Sequence, residues 1–150
     1  MDIRKVIIGM VLSLVFTMSY YVRADVAFVK TPSVAADWVY FSGPSTVSDW
    51  VYFSGPSTVS DSIKVTNNCS QAYVEFVQGL PAYADWIYFS GPSTVADWIY
   101  LSGPSTVADW IYITDSSNAD YTICFPNDFA YTEEHIAAIY ITILKPGKHN

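Results

Sequence analysis

A twelve-residue segment that recurs almost unchanged constrains the fold of this chain more than any other feature. Its consensus is Asp-Trp-(Val/Ile)-Tyr-(Phe/Leu)-Ser-Gly-Pro-Ser-Thr-Val-(Ser/Ala), and four copies occupy 37–48, 49–60, 85–96 and 97–108. A fifth copy begins at Asp109 and loses the pattern after Tyr112. Because a short exact repeat is one supersecondary unit, the fold is expected to grow by stacking equivalent units.

The residues of one unit predict a strand followed by a tight turn. Thr-Val-(Ala/Ser)-Asp-Trp-(Val/Ile)-Tyr-Phe is rich in β-branched and aromatic residues, whereas Ser-Gly-Pro-Ser is a cluster of turn formers. A Gly-Pro pair in every unit would interrupt a helix each time. The sequence therefore predicts an all-β protein with nine or ten strands.

The twelve-residue spacing extends beyond the four clean copies of the unit. Aspartate recurs at 25, 37, 49, 61, 85, 97 and 109. We predict one β-repeat domain over 25–150, with repeats at 25–60 and 85–113 and non-repetitive parts at 61–84 and 114–150. His135 to Leu144 is the most apolar segment of the second part, and its Ile-Tyr-Ile-Thr-Ile-Leu favours a central strand. A helix from Glu133 to Tyr140 is the alternative.

Three arrangements fit such units. In an antiparallel meander with a three-residue loop centred on Gly55, Asp49 lies opposite Asp61, and directly opposed like charges are unfavourable. An antiparallel meander folded into a β-sandwich is preferred, with Ser-Gly-Pro-Ser as a four-residue loop. That register places Trp50 opposite Asp61 and puts tryptophans on alternate faces of successive strands. The alternative is a β-solenoid, in which aspartate stacks on aspartate and tryptophan on tryptophan.

The first 24 residues are typical of a secretory signal peptide. Arg4 and Lys5 precede an apolar run from Val6 to Tyr20, and small residues precede a cut predicted after Ala24. An uncleaved membrane anchor is the alternative, although the run is shorter than the ~20 residues that span a bilayer. We expect a secreted or periplasmic protein without a stable membrane anchor after cleavage.

The net charge of the chain restricts the classes of partner that it can bind. The whole chain has 14 acidic and 7 basic residues, and removal of 1–24 takes Asp2, Arg4, Lys5 and Arg23 with it. The remaining chain keeps 13 acids and 4 lysines, a net charge of −9. Because nucleic-acid binding needs a basic footprint, this acidic balance argues against a nucleic-acid partner.

The two cysteines predict one disulfide. Cys69 and Cys124 both lie in the part expected to be exported, where an even pair is typically oxidised. Such a bond closes a loop of more than 50 residues. The loop-entropy model assigns a bond of this kind about 4 kcal/mol of stabilisation.

No catalytic or metal-binding motif is found in the sequence. Gly-Pro-Ser-Thr-Val lacks the second glycine of a nucleophile elbow. The two histidines, His135 and His149, and the cysteines lack zinc spacing, and 115–120 lacks the glycine and glutamate of a calcium loop. We therefore predict a protein that is not an enzyme and that uses no cofactor.

An aromatic row is the one candidate surface. All five tryptophans take the second place of the unit, each with a tyrosine two residues later on the same face. The row comprises Trp38, Tyr40, Trp50, Tyr52, Trp86, Tyr88, Trp98, Tyr100, Trp110 and Tyr112. Burial in a core is the first interpretation. We expect a structural or interaction role, such as surface adhesion, and as the alternative a glycan-binding module that uses this row.

Overall fold

A computed structural model of the chain describes residues 23–126 and 128–147. The described chain has nine strands: β1 (Ala24–Val29), β2 (Ala36–Phe41), β3 (Asp49–Phe53), β4 (Asp61–Thr66), β5 (Val74–Phe76), β6 (Asp85–Phe89), β7 (Asp97–Leu101), β8 (Asp109–Ile113) and β9 (Tyr121–Cys124). The all-β prediction is confirmed. The predicted signal peptide falls almost wholly on residues 1–22, which lie outside the described part.

The strands form one closed, all-parallel barrel, so the predicted antiparallel sandwich is wrong. Their order around the barrel is β1-β5-β9-β4-β8-β3-β7-β2-β6, and β6 pairs again with β1. The alternative, a solenoid, is not matched either, because β6 lies between β1 and β2 and pairs with both.

The stagger between neighbouring strands explains why short connections can join parallel strands. Parallel neighbours ordinarily need a crossover of about a dozen residues, because the chain must return to the start of the sheet. Here Phe41, at the end of β2, and Asp49, at the start of β3, both pair with Ile99 of β7. Because β3 begins at the height where β2 ends, the seven residues 42–48 only have to step across β7.

Every connection between strands steps across one strand in this way. The first circuit of the chain therefore places β1 to β5 at alternate positions, and the second circuit places β6 to β9 in the gaps. The predicted strand of eight residues was too long, since Asp49–Phe53 is the strand and Thr58-Val59-Ser60 belongs to the turn.

The inner face of the barrel carries the first, third and fifth residues of each unit. The third residue is completely buried in seven strands: Val39, Val51, Ile63, Ile87, Ile99, Ile111 and Ile123. These side chains belong to one apolar cluster with Ile136, Ile139 and Leu144 from the C-terminal part of the chain. The core is therefore the lumen of the barrel.

A helix fills that lumen, so the predicted central strand at 135–144 is wrong. It consists of α1 (Glu133–Ile139), a π-helical segment (Tyr140–Leu144) and α2 (Lys145–Gly147). Six consecutive residues from Ile136 to Ile141 are buried, and a helix buried on every side must be surrounded by protein. Tertiary burial here overrides the β-propensity of the isoleucines.

Two further contacts stabilise the ends of this architecture. At the start of α1, the Thr132 N–H donates to His135 Nδ1 at 3.0 Å, which occupies a free donor of the first turn. Cys69 and Cys124 form a disulfide, with Cα atoms 5.3 Å apart, so the predicted bond is confirmed. It ties β9 to the 3-10 turn Cys69–Gln71 that follows β4.

Candidate functional site

The aromatic row lies on the outside of the barrel and not in the core around the helix. Parallel strands keep the phase of the unit, so each tryptophan and each tyrosine alternates with inward residues and faces outward. The ten residues cover five adjacent strands, β6, β2, β7, β3 and β8. The predicted alternation of tryptophans between two faces is wrong, because it depended on antiparallel pairing.

The rings of this aromatic belt are held in fixed positions. Each indole N–H donates to a main-chain carbonyl five residues earlier, in the preceding turn, for example Trp98 Nε1 to Ser93 O at 2.9 Å. Trp50 donates to Ser45 O at 3.1 Å, not to Asp61 as its predicted position had suggested. Four edge-to-face Trp–Tyr pairs, with ring centroids 5.0–5.2 Å apart, link neighbouring strands. The half-buried belt thus supports the turns, because each indole is hydrogen-bonded to the turn that precedes its strand.

The turns that rest on the belt lie side by side. Each begins with a hydrogen bond to the strand that it crosses, as from Ser42 N to Ile99 O of β7 at 2.8 Å. The four equivalent turns 90–96, 42–48, 102–108 and 54–60 differ only in their last residue, and they cross β2, β7, β3 and β8, which are consecutive around the barrel. Two circuits of the chain therefore interleave four copies of one loop into a contiguous surface.

Each of these turns exposes one valine. Val95, Val47, Val107 and Val59 are 70–72% exposed, whereas the first and last residues of each turn are half-buried. Turn 30–35 over β6 adds Val34, and turn 77–84 over β1 adds Leu80 and Tyr83, all exposed. We call these six adjacent turns the turn array. The sequence analysis did not predict the turn array, because it assigned each valine to a strand. A single apolar residue among turn-forming residues was the feature that could have indicated it.

Internal hydrogen bonds fix the conformation of each identical turn. In turn 42–48, the Val47 N–H donates to Ser45 Oγ at 3.3 Å, and Ser42 Oγ donates to the Gly43 carbonyl at 2.9 Å. The equivalent bonds recur in the other three copies. Repetition of the sequence thus yields repetition of a surface geometry.

A second feature, which we call the carboxylate ring, lies at the mouth of the lumen at the end where the strands begin. It is formed on six adjacent strands by Asp85, Asp37, Asp97, Asp49, Asp109 and Asp61. The helix supplies partners: Lys145 Nζ lies 2.7 Å from Asp109 and 3.2 Å from Asp49. The Tyr140 hydroxyl donates to Asp61 at 2.6 Å.

Asp25 does not belong to this ring, although it keeps the spacing of twelve. The next residue, Val26, pairs with Asp85 and shares its inward orientation, so Asp25 faces outward. It lies 3.4 Å from Arg23, which also binds Glu75 on the outer face. Ala24 takes the inward first place in β1, because Val26 pairs with Asp85 as Val39 pairs with Asp97. Asp37 follows Ala24 by 13 residues, one more than the twelve of the clean copies, and this restores the phase.

The environment of the ring shifts several pKa values. Burial, reinforced by the charges of Asp97 and Asp85, raises the pKa of Asp37; burial and the charge of Asp49 raise that of Asp97. For Lys145, burial alone lowers the pKa, but its bonds to Asp109 and the nearby Asp49 outweigh burial and raise it. The helix cation therefore stays charged among the carboxylates.

His135 is a packing and capping residue in this structure. Its ring lies against Phe28, Phe89 and Phe129, with centroids 4.7–5.4 Å away, at the end of the lumen opposite the carboxylates. Burial lowers its pKa, with the charge of Glu134 acting in the other direction. Within the described residues, no group of three or more His, Cys, Asp and Glu is placed to hold a metal ion.

The fold defines the class of this protein as a closed, parallel, nine-stranded barrel around a C-terminal helix. Comparison of the chain with protein-family models, with curated proteins and with solved structures gave no match. No helix of residues 23–126 and 128–147 is long and apolar enough to cross a membrane. Functional inference therefore depends on the surfaces themselves.

Proposed function

We propose that this protein is an exported, non-enzymatic interaction protein that binds its partner through the turn array. One observation carries the proposal: seven exposed apolar side chains project from six consecutive turns, which cross six of the nine strands of the barrel. Neighbouring exposed apolar side chains on a protein surface are a common feature of interaction sites. The belt beneath holds the turns rigid, which reduces the entropy lost on binding.

Identical turns favour a multivalent mode of binding. Each copy presents the same valine in the same loop geometry, so a partner with repeated or extended surface can contact several copies at once. Linked contacts raise the overall affinity well above that of one contact. The affinity should therefore fall stepwise as valines are removed.

Export is part of the proposal. It is supported by the N-terminal apolar segment in the sequence and by the Cys69–Cys124 disulfide, which is compatible with an extracellular or periplasmic location. A cut after Ala24 would remove two residues that contact the barrel: Arg23, 2.6 Å from Glu75, and Ala24, whose N–H donates to Tyr73 O at 3.0 Å. N-terminal sequencing of the exported chain locates the cut.

A charge-matched pair of variants tests the proposal. The first replaces Val47, Val59, Val95 and Val107 by Asp; the second replaces the neighbouring exposed threonines Thr46, Thr58, Thr94 and Thr106 by Asp. Both add four charges to the same turns. On an array of purified cell-surface proteins, ligands bound by the wild type should be lost with the valine variant and retained with the threonine variant. Equal binding by all three proteins would refute the proposal.

Glycan binding by the aromatic belt is a second candidate. It is favoured by the outward orientation of all five tryptophans, because aromatic rings on one face can stack on sugar rings. Tryptophan emission that shifts on a glycan panel and is quenched by iodide would support it. Blue emission insensitive to both would exclude it.

A further inference from the structure

We infer that a polar cleft on the outer wall, away from the turn array, binds a saccharide that carries a carboxylate. The cleft has a volume of about 740 Å³, within the range of small-molecule sites of about 300–1,000 Å³. Lys64 and Thr66 of β4, Thr122 of β9, Asn68 and Ser117 contribute to its lining. It lies where the non-repetitive parts of the chain meet beside the disulfide.

The sheet places the central residues of the cleft next to each other. Lys64 pairs directly with Thr122 across β4 and β9, and both face outward because Ile63 and Ile123 are buried in the lumen. In the clean repeats the outward positions hold tryptophan and tyrosine. The aromatic belt thus ends at β8, and a polar surface takes its place on β4 and β9.

The polar groups of the cleft have unused hydrogen-bonding capacity. Lys64 forms no ion pair with any residue of the described chain, and the Thr122 hydroxyl has no hydrogen-bond partner there. Asn68 uses its side-chain oxygen to accept from Ser70, which leaves its amide N–H groups available. The Thr66 hydroxyl accepts from the Asn68 N–H at 3.0 Å and can still donate. Donors therefore predominate.

Arg23 forms part of the wall and is not the recognition cation. Its guanidinium lies 2.6 Å from Glu75 and 3.4 Å from Asp25, and it donates to the Cys69 carbonyl at 3.3 Å. These carboxylates balance its charge. Among the described residues that line the cleft, Lys64 is the remaining cation, so the cleft fits a ligand with one anionic group. A cut after Ala24 would leave Lys64, Thr66 and Thr122 in place.

The hydrogen-bond donors of the cleft favour an anion that also carries hydroxyl groups over a simple anion without them. A simple anion would use only the Lys64 ammonium, whereas a sugar acid would use the ammonium for its carboxylate and the hydroxyl and amide groups for its hydroxyls. Hydrogen bonds to a charged group contribute more than neutral ones. The carboxylate should therefore dominate affinity, and the hydroxyls should give selectivity.

Titration calorimetry of the full chain with methyl β-glucuronide, methyl β-glucoside and acetate tests this inference. We expect saturable binding of the glucuronide, at least tenfold weaker binding of the other two, and a tenfold loss for Lys64→Gln. Thr122→Val should weaken glucuronide binding and leave acetate unchanged. The matched control is Lys30→Gln, which removes an exposed lysine that does not line the cleft and should bind like the wild type.

Three outcomes would overturn the inference. They are no saturable glucuronide binding, equal affinity for acetate and glucuronide, and unchanged glucuronide binding by a folded Lys64→Gln variant. Because none of these measurements involves Val47 or its equivalents, failure here leaves the proposed role of the turn array standing. Conversely, loss of partner binding in the valine variant leaves the cleft inference untouched.

Discussion

At the residue scale, the role of each side chain of the unit depends on whether it faces the lumen or the outside of the barrel. The twelve-residue repeat identified the Asp, Trp and Tyr positions of the unit, and alternation along a strand correctly put Trp and Tyr on one face. The acceptor of each indole was not predictable, because a main-chain carbonyl leaves no trace in the sequence. Val59 shows a different limit, since β-propensity assigns valine to a strand even where it projects from a turn.

The carboxylate ring is predicted to contribute more to the stability of the barrel in mild acid than at neutral pH. The pKa of Asp37 and that of Asp97 are raised above the ordinary value of 3.8 by burial and by neighbouring aspartates. A raised folded-state pKa means that the folded form binds the proton more tightly. This contribution is fully present below about pH 3.8 and is lost as pH rises through the folded values.

Urea unfolding at several pH values between 4 and 7 measures this effect. The free energy of unfolding of the wild type, relative to that of a double variant with Asp37→Asn and Asp97→Asn, should rise as the pH falls toward 4. The lowered pKa of His135 has the opposite pH dependence, but it is present in both proteins and cancels in this difference. Asp115→Asn, in a turn outside the ring, is the control and should keep the wild-type profile. A double variant with the same pH dependence as the wild type would contradict the assignment.

At the element scale, strands were predictable and their direction was not. Period-two alternation predicts a strand and the recurrent Gly-Pro predicts a turn. Both patterns fit a hairpin between antiparallel strands as well as a crossover between parallel strands. Antiparallel pairing was preferred because its four-residue loop avoids opposed aspartates and offers the indole N–H an acceptor. In the structure the same turn residues join parallel strands, because the stagger of the sheet pairs both Phe41 and Asp49 with Ile99, and stagger is a property of the sheet. The helix at 133–147 was misassigned for a related reason, since its surroundings override its propensity.

Enlarging one side chain tests the position of the helix. Ala138 is completely buried in the lumen, so Ala138→Leu should overpack it and lower the free energy of unfolding by about 1–3 kcal/mol. Glu134→Leu adds a leucine at an exposed position of the same helix and should change stability by less than ~0.5 kcal/mol. Chemical denaturation of both variants gives the comparison. Equal, small effects would mean that the helix lies outside the barrel.

At the scale of the whole molecule, the winding imposes a parity rule that a linear repeat array lacks. Each connection skips one position, so the second circuit falls into the gaps of the first only when the number of strands is odd, as it is with nine. With an even number, the second circuit would return to positions already filled. A linear array, in contrast, tolerates one unit more or less. Sequence repetition alone could not distinguish these cases.

Insertion of repeat copies after residue 108 tests this rule. One extra copy of 97–108 makes an even number of strands and should abolish cooperative unfolding or cause association. Two extra copies restore an odd number, and that variant should remain a cooperatively unfolding monomer, though less stable because the wider lumen leaves space around the helix. Calorimetry and size-exclusion chromatography follow both. A monomeric, cooperative single-copy variant would contradict the winding.

The most direct test of the central claim, a parallel barrel closed around its own C-terminal helix, is a zero-length cross-link. Lys145 Nζ lies within 2.7 Å of Asp109 and 3.2 Å of Asp49, on two adjacent strands from different circuits of the chain. Carbodiimide treatment of the dilute monomer followed by mass spectrometry should therefore join Lys145 to Asp109 and to Asp49, and Lys145→Arg should abolish both products. Two results would contradict this fold. In the first, Lys145 is linked only to other carboxylates; in the second, Lys145 stays unlinked while Lys30 and Lys64 react.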